Sequence, residues 1–327
     1  MVSLLQLIIN ALITFSFLSL ATFGIVLIFK TSSTTNFAQG MLGILGAYTT
    51  SYLIDRKGIM DLTGLPSVTI TNPVSLILPI LGGMLVSFIA GYLIDVVIFR
   101  NAKYTNAATK QIITMGLVIV LSGLIPLIFG TTVRRASFKF TETTVELFNT
   151  GTFIPVHRLI SLAIAMVIIL GLFLTLKYTK WGLAVRSVSS NEQVAGMMGI
   201  NTNRINALSW GIAGALGALS AITYTAAVSS LTIDAMTPMQ IDAFYSSILG
   251  GFSTFHGPLI GAFILNIGQT GLPMILVKFG LTEWGNVILY LLIMLVVLVK
   301  PNGLFGKKVV KKVWLWRGYI QRKFYQY

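Results

Sequence analysis

Leu4-Leu-Gln-Leu-Ile-Ile-Asn-Ala-Leu-Ile-Thr-Phe-Ser-Phe-Leu-Ser-Leu-Ala-Thr-Phe-Gly-Ile-Val-Leu-Ile-Phe29 carries no ionised side chain and is closed by Lys30. At ~1.5 Å of rise per residue, roughly 20 residues cross a ~30 Å hydrocarbon layer. The stretch is therefore long enough to span with tilt. No basic residue precedes it, and it outruns the apolar core of a signal peptide, so it is expected to stay as a span rather than be cleaved. The rest of the chain agrees in composition. Of its 327 residues 55% are hydrophobic and only 10% charged, with a mean hydropathy of +0.86. Soluble domains carry about a quarter charged residues. The sequence thus predicts an all-α polytopic integral membrane protein.

Outward from this first span, Thr31 to Asn36 is polar, and a helix is expected from there to about Ile54, with Gly40, Gly43 and Gly46 beside Ala47 forming a small-residue face. Such faces let helices approach closely in lipid. A loop over 55–73 is broken by Gly64, Pro66 and Pro73. Further spans are expected at 74–99, 112–129, 159–176, 205–228 and 285–299, the fifth and sixth separated from their neighbours by polar stretches 130–158 and 177–204. The span 205–228 has a second small-residue face at Gly211, Gly214 and Gly217. Residues 239–277, interrupted by Gly250-Gly-Phe-Ser-Thr-Phe-His-Gly-Pro258, read either as two crossings or as a re-entrant half-helix followed by a full helix. The expected total is about nine segments, within a range of 8 to 10, one of them either re-entrant or fully spanning. Residues 1–306 are expected to form the membrane-spanning domain and 307–327 a separate tail.

The net charge of +14 is explained by sidedness. With the N-terminus outside, sixteen of the 23 basic residues fall on the face that also bears the C-terminus and seven on the other. This obeys the positive-inside rule and makes the C-terminus cytoplasmic. Nucleic acid is not needed to account for the charge. In the tail, Val309, Val313, Trp316, Ile320, Phe324 and Tyr327 recur at helical spacing among lysines and arginines. That pattern suits a helix on an anionic lipid surface.

Catalytic chemistry has little to stand on. With no cysteine and only His157 and His256, neither a thiolate nor an imidazole cluster for a metal is expected. No cofactor is implied. The single Gly-Lys pair, Gly306-Lys307, lacks the spacing of a phosphate loop, so the chain is not expected to hydrolyse ATP itself. Ion coupling would need ionisable groups deep in the bilayer. Asp95 lies near the end of its span, and Asp242 stands about a turn into its segment. An ion-coupled secondary transporter therefore remains the alternative class.

The polar stretch Trp181-Gly-Leu-Ala-Val-Arg-Ser-Val-Ser-Ser-Asn-Glu-Gln-Val-Ala-Gly-Met-Met-Gly-Ile200 is rich in helix formers and punctuated by Gly182, Gly196 and Gly199. A short cytoplasmic helix between two spans suits docking in the groove of a soluble partner. Trp181 to Arg186, followed by Ala195 and Gly199-Ile200, resembles the coupling loop of the branched-chain amino-acid ABC importer permeases of the LivH/LivM type. Gly24 to Lys30 with Asn36-Phe-Ala-Gln-Gly40 and Gly46-Ala-Tyr48 resembles the N-terminal signature of that family in its LivH-like form. Gly250-Gly251 with Gly257-Pro-Leu-Ile-Gly261, and Pro301-Asn-Gly-Leu-Phe-Gly306, resemble its later glycine block and its C-terminal end.

The resemblance implies a multi-pass subunit of the bacterial cytoplasmic (inner) membrane. Its implied partners are a second, LivM-like permease, two cytoplasmic ATPases and an extracytoplasmic solute-binding protein. The implied solutes are branched-chain amino acids or similar small polar molecules, with urea or another small amide as the alternative. Within such a permease, Gly182, Arg186, Glu192, Ala195 and Gly199 are the expected coupling-loop residues, with 181–204 as the loop. Asn36, Gln39, Gln240 and Asp242 are the expected polar groups of the pathway.

Overall fold

The computed structural model describes residues 4–54, 73–102, 106–131, 141, 143–146 and 153–306. The outer-loop residues Arg134, Arg135 and Lys139, the breakers Gly64 and Pro66, and the amphipathic tail 307–327 lie outside the described residues.

Eleven α-helices follow in chain order among the described residues: α1 (Leu4–Ser32), α2 (Gln39–Ile54), α3 (Ile77–Leu93), α4 (Ala107–Phe129), α5 (Val156–Tyr178), α6 (Lys180–Ser190), α7 (Glu192–Met197), α8 (Thr202–Val228), α9 (Thr237–Gly250), α10 (His256–Leu276) and α11 (Gly285–Val299). Seven helical segments are long and apolar enough to cross a membrane, α3 being carried to Phe99 by a wider π-helical turn. The difference from nine lies in α2 and α9, which have only 16 and 14 residues. One departure from an all-helical chain lies in the polar stretch before α5. There Thr144–Glu146 (β1) pairs antiparallel with Phe153–Pro155 (β2), Val145 facing Ile154. The β-branched and aromatic residues of these short runs favour the pairing.

The order of burial is set by side-chain size. In lipid the hydrophobic effect gives little reason for one apolar helix to prefer another, so close packing of small residues decides which helices lie inside. Helix α2 is buried from Gln39 to Tyr52, enclosed by α1, α3, α4, α8 and α9. A Cβ at Gly43 would stand 2.6 Å from the carbonyl oxygen of Gly217 in α8, far inside ordinary contact. Gly46 meets Ala218 of α8 and Ser87 of α3 in the same manner, and Gly214 meets the Ser87 carbonyl. The two small-residue faces read from the sequence thus close on each other and on α3. Hydrogen bonds fasten this layer, Ser87 Oγ donating to the Leu42 carbonyl at 2.8 Å and Thr50 Oγ1 to the Pro79 carbonyl at 3.2 Å. Outside it, α3, α4, α5 and α11 turn leucine, isoleucine and valine outward, among them Leu78, Ile119, Val167 and Leu298. An apolar exterior of this extent is what a lipid-facing surface requires.

Helix α2 is short because its chain starts deep. Gly24 of α1 lies against the Gln39 amide, and Gly24 is eight residues before the end of α1, so α2 begins about 12 Å below that end. Residues 33–38 fold back into the bundle to reach this point, starting at Ser33, whose φ of 50° reverses the chain. Helix α9 likewise starts beside the beginning of α2, since the Gln240 side chain bonds to the backbone of Phe37 and Gly40. Its other end reaches the level of Lys30, whose Nζ donates to the Ser253 carbonyl at 2.7 Å in the bend between α9 and α10. The turn after α11 joins the same corner, Leu304 N donating to the Leu249 carbonyl at 2.8 Å and Phe305 N to that of Gly250 at 3.2 Å. Gly251, at φ 92°, and Gly303, at φ 78°, hold conformations closed to most side chains. A Cβ at Gly251 would also strike the Asn302 carbonyl. The glycine block and the C-terminal motif therefore form one joint.

Candidate functional site

Two helix N-termini converge, that of α2 inside the bundle and that of α9 with Thr237 and Pro238 exposed. Between them lies a cavity of about 170 Å³ lined by Phe37, Gly40, Met41, Val118, Ile233, Met236, Thr237, Gln240, Ile241 and Phe244. Ligand pockets for drug-sized molecules run from roughly 300 Å³ upward, so this one suits a small solute. Its walls are mostly aliphatic and aromatic, with the rings of Phe37 and Phe244 5.0 Å apart. Its polar groups are Gln240, Thr237 and the start of each helix, where the macrodipole is positive.

The four polar residues expected in the pathway fall into three places. Gln240 lines the cavity and clamps α9 to α2, its Oε1 accepting from Gly40 N at 2.6 Å and its Nε2 donating to the Phe37 carbonyl. Asn36 and Gln39 are buried behind it. Asn36 Oδ1 accepts from Ala38 N at 2.9 Å, and its Nδ2 donates to Gln39 Oε1 at 3.2 Å. Gln39 Nε2 donates to the Ala213 carbonyl of α8 at 2.6 Å, in a slot made by Gly24 and Gly217. Asp242 points elsewhere: its carboxylate accepts from Tyr290 Oη at 2.8 Å and from Gln269 Nε2 at 2.9 Å, tying α9 to α10 and α11.

A second assembly stands at the end of the bundle where α5 ends and α8 begins. The helix-forming stretch is two helices set at an elbow, α6 and α7. Thr179 caps α6, accepting from Gly182 N at 3.0 Å. Asn191 is extended, and its Oδ1 accepts from Val194 N at 3.1 Å to start α7. Gly199, at φ 85°, ends α7, and Asn201 caps α8 by accepting from Arg204 N at 3.1 Å. Each break thus has a residue suited to it. Of the five expected coupling residues, Gly182 is buried against the backbone of Thr175 and Leu176, and Ala195 packs inward. Arg186 and Glu192 are exposed. Arg186 leans on the Lys177 carbonyl at 3.4 Å, and Glu192 Oε1 accepts from Asn206 Nδ2 at 2.9 Å, latching α7 to α8. Outward, Leu183, Val194 and Met198 line an open groove of about 590 Å³ with Arg186 and Asn191. Met197 and Met198 are 85% and 79% exposed, unusual for large apolar side chains on a polar segment.

Residues 7–297 match the family described as branched-chain amino acid transport system / permease component. The chain belongs to that family. Similar proteins include the "Probable branched-chain amino acid transport permease protein LivH" of Methanocaldococcus jannaschii, 28% identical over 91% of each chain. BraD, a high-affinity branched-chain amino acid transport system permease protein of Pseudomonas aeruginosa, is 25% identical over 94% of this chain and 98% of its own. LivH of Escherichia coli is 24% identical over 94% and 97%. No solved structure matches the chain. The chain is accordingly a LivH-like membrane permease subunit of an ABC importer and a multi-pass protein of the cytoplasmic membrane.

Several residues of this permease escape a linear reading. Gln269 and Tyr290 lie 27 and 48 residues from Asp242, and Asn206 lies 14 from Glu192, with no motif joining them. Phe37 and Phe244 are the one pair with a signal, since Phe37 sits inside the Asn36-to-Gly40 signature and Phe244 one turn after Gln240.

Proposed function

We propose that this permease moves branched-chain amino acids, or similar small polar solutes, from an extracytoplasmic binding protein to the cytoplasm, driven by two partner ATPases docked on the α6–α7 elbow. The observation that carries this reading is the elbow itself: a doubly capped, bundle-latched pair of helices presenting Leu183, Val194, Met197 and Met198 to an aqueous face. Exposed apolar anchors on a rigid helix are what a helix-in-groove contact needs. Movement of the ATPases would be passed to α5 through Gly182 and to α8 through Glu192 and Asn206.

The cavity between α2 and α9 is the proposed pathway site. Two helix N-termini favour a carboxylate, and the aliphatic walls favour a branched side chain. Gln240 faces the solute, Asn36 and Gln39 hold the start of α2 in place, and Asp242 fixes the depth of α9 through Tyr290 and Gln269. With the N-terminus outside, α9 descends from mid-membrane to the cytoplasmic corner at Lys30, and α10 returns. The short α2 and α9 then bring the crossings to nine. A second, LivM-like permease is proposed as the other half of the translocating pair.

The test is co-purification of the ATPases with Val194→Glu/Met198→Glu. Both sites are exposed, so the bundle should assemble with its permease partner while ATPase recovery and ATP-driven uptake fall together. Unchanged ATPase recovery would remove the elbow from the interface.

A further inference from the structure

A second, quite different cavity lies under the elbow. Its volume is about 300 Å³, and it is lined by Asp95, Arg100, Lys110, Glu192, Asn203 and Asn206, with Ser32, Phe99 and Ala102 completing the wall. Two acids and two bases thus share one space, Asp95 and Arg100 from the extension of α3, Lys110 from α4 and Glu192 from α7, with the asparagines from α8. Asp95 decides what the space can hold. It sits in the π-helical turn that extends α3, a distortion that recurs at functional sites. It is 6% exposed, and among the described residues no hydrogen bond or ion pair reaches its carboxylate. With no donor among those residues, the only favourable charges acting on it are those of Arg100 and Lys110 from across the cavity, which leaves room for a ligand donor between them. Asn206 Oδ1 is also buried without a donor, its Nδ2 being spent on Glu192. On the positive side Lys110 Nζ reaches only as far as the Ser32 carbonyl, at a long 3.3 Å.

A lone cation here would meet Arg100 and Lys110, and a lone anion would meet Asp95 and Glu192. A molecule bearing both an ammonium and a carboxylate satisfies both halves. We infer that this cavity is a second binding site for a zwitterionic amino acid, its ammonium held by Asp95 with Asn206 and its carboxylate by Arg100 and Lys110. The inference rests on the reading of the chain as an amino-acid permease, and it places solute on the cytoplasmic side, apart from the α2–α9 cavity. Glu192 opens α7, so an occupant joins the elbow to α3 and α4.

The chain has no cysteine, so Ala102→Cys places a single thiol of this subunit on the cavity wall. In the detergent-solubilised complex with its partner subunits, the rate at which this chain takes up a maleimide is measured with L-leucine, leucinamide or 4-methylpentanoate present. Leucine at about ten times its half-protecting concentration should slow labelling about tenfold, as simple occupancy requires. Leucinamide, lacking the carboxylate, and 4-methylpentanoate, lacking the ammonium, should not. Protection should vanish with Asp95→Asn and with Arg100→Gln, the latter at an exposed side chain where folding is not at stake, and should survive Gln240→Ala in the other cavity. No protection by leucine, equal protection by either single-charge analogue, or loss of protection with Gln240→Ala overturns the inference. Uptake measured in parallel separates the two readings. Leucine uptake without protection removes this site and leaves the transport function, whereas protection without uptake leaves the site and removes leucine as the carried solute.

Discussion

Replacing Gln39 with leucine separates a helix bridge from a pathway contact. The substitution removes the 2.6 Å bond from Nε2 to the Ala213 carbonyl and takes the acceptor from Asn36 Nδ2. Interhelical side-chain hydrogen bonds in membrane proteins average about 0.6 kcal/mol and reach about 1.7. The Asn36 amide, with Asn36 itself fully buried, is left without its acceptor, at about 1–3 kcal/mol. The branched side chain must also enter a slot where Gly24 and Gly217 leave room only for a flat amide. Together these give a loss of about 2–4 kcal/mol, the Ala213 carbonyl keeping its helical donor. For a chain of this size each kcal/mol moves the melting temperature by about 2–4 °C, so the purified subunit should melt about 5–15 °C lower. The assay is thermal unfolding in detergent, followed by half-saturation of uptake in the variant that survives reconstitution. A Gln39→Leu protein that melts within about 2 °C of the parent, yet shows altered half-saturation, would place Gln39 in the pathway and refute the bridging account.

Overpacking should tell the same story from the α2–α8 seam: Gly43→Val drives its side chain into the Gly217 carbonyl, at a cost of about 1–3 kcal/mol or more, and should lower the yield of folded subunit, whereas Gly171→Val, on α5 with nothing within 4 Å, should be neutral when both are scored by monodisperse yield. Asn191→Ala removes the cap of α7, worth about 1 kcal/mol, and should reduce ATPase recovery while leaving the melting temperature of the bundle within about 2 °C, as read by pull-down and unfolding together. Gly251→Ala combines a φ of 92° with a clash at Asn302, and should loosen the joint between the glycine block and the C-terminal turn, seen as faster proteolysis after Lys300.

The long spans were legible because length and apolarity alone specify them, as in α1, α5 and α11. The small-residue faces of α2 and α8 were legible too, since glycine and alanine at helical spacing have few other uses in lipid. Depth was not. Thr34 to Asn36 reads only as a polar start before a helix, yet Thr34 and Asn36 are fully buried and satisfied from within, Asn36 by the Ala38 N–H and the Gln39 side chain. Polarity alone does not tell a solvated residue from one whose partners arrive from another helix. The same reason hid the Asp242–Gln269–Tyr290 cluster and the joint between Gly251 and Asn302, whose members are far apart in sequence. The elbow was read as a single helical stretch, and Asn191 divides it because an extended asparagine offers α7 a better start than a helical one offers α6 a continuation.

The most direct measurement is uptake of radiolabelled leucine into proteoliposomes holding this permease with its permease partner, ATPases and binding protein. ATP sealed inside, with the elbow facing the lumen, and binding protein outside should drive accumulation, and removing either should abolish it. Accumulation driven by a proton or sodium gradient, with no ATP present, would contradict the account.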